Sequence, residues 1–258
     1  MKTIPSSFEL IEPLTLNAWP ALRQFVRDGW LLRLADGYTK RANSVQPLWP
    51  FDGETDMAGK IAWCEQVYND AGLPAIFKLS PFSEPRNLDY LLEEASYRVV
   101  EPSCVKVRDL ANLPIPSGRF RVLVEPRINE AWLSSFSVWQ SLHADRLKTA
   151  RLILEAPYPP KGFFTLSDDG IPVALGIGAI ERGYAGLYDI VTDPFRRNEG
   201  IGEQLLLHIL GWAKERGAHS SYLQVVRANA AANRLYDKLG YEDLYPYWYR
   251  VQTLNNGN

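Results

Sequence analysis

Three apolar runs with almost nothing between them constrain this chain more than any other feature. "KGFFTLS", "IPVALGIGAIE" and "YAGLYDIVT" are separated only by "DDG" and "RG", tight turns that favour hairpins over crossovers. An antiparallel meander is therefore expected over 161–192. Asp193-Pro194 ends it, and the period then changes: Ile201, Leu205, Ile209 and Trp212 recur at helical spacing until Gly217 stops the helix. "SSYLQVV" reads as a strand, Asn229 as the cap of a helix through Leu239, and "YEDLYPYWYRV" as a closing strand. Upstream, "RFRVLV" (119–124) predicts a strand, and helices are expected to start at the capping residues Asn129 and Asp145.

The first half follows a similar order. "GWLLRLA", Asp36-Gly37 and "RANSVQPL" predict a hairpin, Met57 to Ala71 a helix, "PAIFKLS" a strand, "PRNLDYLLEEA" a helix and "YRVVEPSCVKV" a strand. Sliding the chain by 144 residues sets Tyr97 on Tyr241, Leu91 on Leu235, Leu79 on Leu223 and Met57 on Ile201. This predicts an internal repeat, the alternative being chance likeness of two strand-helix-strand units. Leu110 to Gly118, with two prolines, reads as the linker, so the expected halves are 1–111 and 112–258.

Between the meander and its helix stands "RRNEGIGEQLL", Arg196 to Leu206. The first N–H groups of a helix lack internal partners, and with the dipole behind them a glycine turn there suits a phosphate. A plain glycine-containing helix entry is the other reading. Two phosphate motifs fail in detail: a Walker loop needs Gly-Lys-Ser/Thr, and a dinucleotide fingerprint needs a third glycine where Leu205 stands.

Composition narrows the partners. With a formal net charge of -2 and a pI near 6.0, the chain offers no electrostatic reason to expect nucleic acid or a membrane surface. Cys64 and Cys104 lack metal or redox spacing, and His143, His208 and His219 are dispersed, so no metal is expected. Neither a secretory leader nor a bilayer-length apolar stretch is read, which predicts a soluble, cytoplasmic protein.

Taken together, Arg197, Gly200 and Gly202 with the later Asn229, Ala232, Leu235 and Tyr236 resemble the Arg/Gln-x-x-Gly-x-Gly/Ala loop and the Asn-x-x-Ala-x-x-Leu-Tyr segment of the GCN5-related N-acetyltransferases. The likeness covers about residues 112–251, in particular to bacterial members with a degenerate family-like half before the active one. It implies an α/β fold of α+β type: a mixed, mostly antiparallel sheet flanked by helices on both faces, repeated imperfectly. It also implies acetyl-CoA as co-substrate, with no metal, and an acetyl group moved to the amine of a small molecule or peptide by direct attack. The tandem repeat is compatible with a monomer.

In such proteins the pyrophosphate is wrapped by the N–H groups of Asn198, Glu199, Gly200, Ile201 and Gly202, with Arg197 beside them, while main-chain groups at Ile190, Val191 and Thr192 hold the pantetheine arm. Asn229 and Tyr236 complete the cofactor side, and Tyr236 is the implied general acid: a phenol of pKa about 10 can donate to a departing thiolate held within reach. Ribosomal-protein acetyltransferases of the family carry a catalytic glutamate where this chain has Gln224, which cannot take a proton. Asp189, on the strand face of Val191, is then the candidate base, directly or through water, with Glu181 as another; each also reads as a solvated edge carboxylate. The Gln224 departure leaves room for a noncatalytic acyl-CoA-binding module, and another acyl-CoA remains an alternative donor.

The offset of 144 places Gly53, Asp56 and Ala58 where the second half has Arg197, Gly200 and Gly202. Glu54 and Asp56 are expected to cap that helix themselves, leaving the first half without a pyrophosphate site.

Overall fold

The computed structural model describes residues 7–53 and 56–252, with side chains described from residue 10 onward. In chain order the elements are α1 (Ser7–Ala18), β1 (Arg23–Arg27), β2 (Trp30–Leu34), β3 (Val45–Pro47), α2 (Met57–Asp70), β4 (Ile76–Leu79), α3 (Leu88–Glu94) and β5 (Tyr97–Asp109). After the linker come β6 (Arg121–Glu125), α4 (Glu130–Trp139), α5 (Ala144–Leu154), β7 (Lys161–Asp168), β8 (Ile171–Glu181) and β9 (Tyr184–Thr192). The chain ends with α6 (Ile201–Glu215), β10 (Ser220–Val226), α7 (Ala230–Lys238) and β11 (Glu242–Gln252). These form two compact units. The larger comprises α1, Val105–Val225 and Asn229–Leu244; the smaller comprises Trp19–Cys104, Val226–Ala228 and the chain from Tyr245.

In the larger unit β6, β7, β8 and β9 form the expected antiparallel meander, and β9 runs parallel to β10. Adjacent residues of β7 explain why helices cover both faces, because successive strand side chains point opposite ways. Phe163 packs edge-on against Trp132 of α4, and Phe164 against Trp212 of α6. Gly176 and Gly178 of β8 let α6 settle closely on its face: a Cβ would stand 3.0 Å from Ile209 at the first position and 2.8 Å from it at the second. The core on this side joins Leu205, Ile209 and Leu210 of α6 with Leu166, Leu187, Leu223 and Tyr241.

In the smaller unit β1, β2 and β3 are antiparallel neighbours, β3 meets β4 in parallel, and the end of β11 lies antiparallel to β4. Trp30, Leu32, Val45 and Phe77 pack against Ile61, Cys64 and Tyr68 of α2 and Leu88 and Leu92 of α3. The polar residues of "RANSVQPL" serve the turn. Asn43 Oδ1 accepts from the Ala35 and Gly37 N–H groups and its Nδ2 donates to Thr39 O, while Gln46 donates to Ser44 Oγ.

The element boundaries carry the repeat. α2 and α6 start at Met57 and Ile201, β4 and β10 start at Ile76 and Ser220, and α3 and α7 end at Glu94 and Lys238, each pair 144 residues apart. Yet the units are not consecutive halves: residues 105–109 of β5 belong to the larger unit and residues 245–252 of β11 to the smaller. Some elements had no clear sequence signal. β1 is exposed at every residue, so it lacks the alternation that announces a half-buried strand. α5 begins one turn position early, with His143 at its N-cap and Asp145 inside the first turn.

Candidate active site

The register of β9 changes where the site is expected. Val191 lies opposite Leu175 and Tyr188 opposite Ile177, so Asp189 and Ile190 together face only Gly176. This is a β-bulge, and within it Asp189 takes a left-handed φ of 46°. On the other edge the parallel pairing of β9 with β10 runs Tyr184–Ser220, Ala185–Ser221 and Gly186–Tyr222. Both strands continue, to Thr192 and Val226, without further ladder pairs to each other among the described residues. A fork therefore opens beyond Gly186.

Buried hydroxyls brace it. Tyr188 Oη and Tyr222 Oη meet at 3.0 Å, and Ser221 Oγ donates to Ala185 O at 2.9 Å and joins Tyr241 Oη at 2.7 Å. Burial pushes the Tyr241 phenol well above its ordinary value, so it stays a neutral structural partner. Gln224, two residues past the last ladder pair, has its side-chain nitrogen buried with no hydrogen-bond partner.

From the end of β9 the chain turns through Asp193, whose carboxylate accepts from Phe195 N at 2.9 Å. Arg197 is exposed, Asn198 and Gly200 adopt φ of 66° and 76°, and Gly200 is the N-cap of α6. With glycine there, no capping side chain competes for the first N–H groups of the helix. A Cβ at Gly202 would lie 3.4 Å from Leu235 and 3.5 Å from Thr192 Oγ1, so the end of β9, the start of α6 and α7 converge on one place. Asn229 spends its side chain on capping α7, accepting from Ala232 N at 3.1 Å. Tyr236, half-buried one residue beyond Leu235, sets its ring 5.8 Å from that of Tyr241.

Sequence reasoning missed the clasp that holds this loop. Arg196 donates to Glu199 and to Asp168 at the end of β7, and Arg119 also reaches Asp168, at 2.6 Å. The Arg119 hydrogen bond, then that of Arg196, holds the Asp168 carboxyl below the usual range, and Arg196 does the same to Glu199. The available signal was Glu199 three residues after Arg196, a spacing at which side chains meet across a tight turn. Glu181, by contrast, leaves the site. It pairs with Tyr184 at the opposite end of the ladder from Thr192, about 23 Å along the strand at 3.3 Å per residue, and Asn17 donates to its carboxylate at 3.0 Å.

Comparison with known proteins gives the family of the chain. The family described as "Probable histone acetyltransferase Rv0428c C-terminal" matches residues 6–250. The chain belongs to that family of GCN5-related N-acetyltransferases. It is 32% identical over 247 residues to the "Uncharacterized N-acetyltransferase YobR" of Bacillus subtilis (strain 168), covering 94% of this chain and 97% of that protein. A shorter stretch of 80 residues is 34% identical to the "[Ribosomal protein bS18]-alanine N-acetyltransferase" of Escherichia coli (strain K12), 31% of this chain and 54% of that one. The fold is shared with the "GCN5-related N-acetyltransferase from Kribbella flavida", at a TM-score of 0.69 and 18% identity, covering 97% of this chain and 95% of the other. As an N-acetyltransferase the chain is an acyltransferase enzyme, and no helix among its described residues is long and apolar enough to cross a membrane.

Proposed function

We propose that this enzyme transfers the acetyl group of acetyl-CoA to a primary amine by direct attack. The observation that carries the reading is the juxtaposition of an uncapped helix N-terminus, approached through two left-handed residues, with a strand fork in the same unit. Main-chain N–H groups from Asn198 to Gly202 receive the pyrophosphate, and Arg197, exposed beside them, adds charge. Backbone of Ile190, Val191 and Thr192 on the open edge of β9 takes the pantetheine arm as an added strand. The amine attacks the thioester carbonyl, the C–S bond breaks, and Tyr236 protonates the departing thiolate. Asp189, presented by the bulge, accepts the proton lost by the amine, directly or through water.

The acceptor is an α-amine or a small-molecule amine. Without a carboxylate at position 224, an amine of pKa near 8 needs less help than a lysine near 10.4. The buried Gln224 nitrogen supports the same choice, since it offers a donor to an oxygen next to the reacting amine. The relative acting on the alanine of ribosomal protein bS18 agrees in acceptor kind.

Within the repeat, the first half is a degenerate copy without a cofactor loop, and residues 112–258 carry the chemistry. Asp56, at the position of Gly200, caps α2 by accepting from Gly59 N at 3.0 Å, filling internally what a pyrophosphate would fill. Glu54 lies outside the described residues. The test is acetyl-CoA turnover against a panel of peptide N-termini, lysine side chains and small amines. Turnover restricted to lysine side chains defeats the α-amine choice, and no turnover with any amine defeats the acceptor class.

A further inference from the structure

Lys161 opens β7 as a cation in an unusual setting. It is only 9% exposed, and its Nζ donates to Ala156 O at 2.7 Å. It lines a cavity of about 560 Å³ walled by Ile128, Pro157 and Phe163, and a second of about 490 Å³ beside Trp212. The charged groups on these cavities are Arg127 and Glu155 in the first and Glu125 and Arg216 in the second. The carboxylates are engaged elsewhere: Glu155 faces Arg151 at 3.7 Å and Glu125 accepts from Asn129. Arg216 stacks on Trp212, 4.8 Å from its ring centre.

We propose that Lys161 is a reactive amine and an acylation site of this protein, taking its acyl group from an acyl thioester. An ammonium removed from water and given one carbonyl partner is poorly compensated, so the pocket favours the neutral base. Burial alone lowers the Lys161 pKa to about 8. At pH 7.5 roughly a quarter of such amines are neutral, against about 0.1% of lysines near 10.4, an excess on the order of 200-fold. The neutral nitrogen attacks the thioester carbonyl, a C–N bond forms, the C–S bond breaks, and the proton released by nitrogen leaves with the thiol. The amide keeps one N–H for Ala156 O and carries no charge, so the product suits this pocket better than the ammonium does.

The choice of donor rests on the proposed function; the nucleophile does not. The intact protein is incubated with isotope-labelled acetyl-CoA and, in parallel, with acetyl phosphate between pH 6.5 and 9, and each lysine is followed by mass spectrometry. Exposed Lys148 is the internal reference. Lys161 is expected to label at least about 10-fold faster than Lys148 at pH 7.5, allowing for its restricted access, with a pH midpoint near 8. Lys161→Arg should lose that label and no other. Labelling of Lys161 no faster than Lys148 with either donor overturns the proposal. Labelling by acetyl phosphate alone overturns the thioester as donor. A Gly200→Glu protein that no longer labels Lys161 overturns intrinsic reactivity, because the acetyl group would then come through the cofactor loop.

Discussion

Arg196 Nη2 stands 2.9 Å from Asp168 and 2.7 Å from Glu199, so one guanidinium ties the loop before α6 to the end of β7 and neutralises the loop's own carboxylate. Arg196→Ala should release the loop and unmask Glu199 beside the proposed pyrophosphate site. Binding of CoA is expected to weaken about 10-fold with little change in melting temperature, since a partly exposed surface clasp adds little to global stability. Calorimetric titration with CoA checks it, and an unchanged dissociation constant excludes the clasp from cofactor binding.

Gly200 holds φ of 76°, and a Cβ there meets no atom within 4 Å. Glu at this position therefore meets backbone strain and an electrostatic conflict with phosphate rather than a clash inside the protein. Gly200→Glu should fold and lose CoA affinity by about 100-fold or more, the equivalent of two charged hydrogen bonds. Full affinity in a folded variant would remove this loop from the cofactor site.

Tyr236 packs its ring against Tyr241, so Tyr236→Phe preserves the packing and deletes only the hydroxyl. The turnover rate should fall by roughly 10²-fold while acetyl-CoA affinity changes little. A steady-state and binding pair of measurements separates the two effects; unchanged turnover rules out Tyr236 as the acid.

Asp56 predicts stoichiometry. Because its carboxylate already serves the N-terminus of α2, one equivalent of CoA should bind per chain. Asp56→Ala should destabilise the fold by about 1 kcal/mol without creating a second site. Two equivalents in the wild-type titration would contradict the degenerate-copy reading.

Asp89 predicts a pH dependence. The Arg250 guanidinium, helped by the Trp248 N–H, holds its carboxyl below the usual range. A carboxyl whose folded pKa is depressed contributes stability above its unfolded pKa of about 3.9 and loses it as pH falls through the folded value. With the Asp89 side chain 42% exposed, solvent screens the pair, and Asp89→Asn should cost about 1 kcal/mol at neutral pH. The gap in melting temperature between wild type and variant should close below about pH 4. A gap constant from pH 7 to 2.5 would show that the ion pair contributes nothing.

Period and punctuation determined much of this protein before any contact was known. The meander of β7 to β9, the start of α6 at Ile201 and the Asn229 cap of α7 follow from alternation, tight turns and capping chemistry, all local to a few residues. So does the position of the Gly200 and Gly202 loop, and the offset that sets Met57 against Ile201 is a property of order along the chain. What lies between distant residues was not legible. Arg196 and Asp168 are 28 positions apart; the spacing to Glu199 singles out Arg196 locally, but nothing along the chain announces Asp168 as its second partner. Asp189 and Glu181 are equivalent carboxylates on neighbouring strands until the register puts one in the bulge and the other at the far end of the ladder. Lys161 looks like an ordinary lysine after two prolines. Only tertiary structure, by choosing which groups lose water and which partners they find, makes it a buried amine.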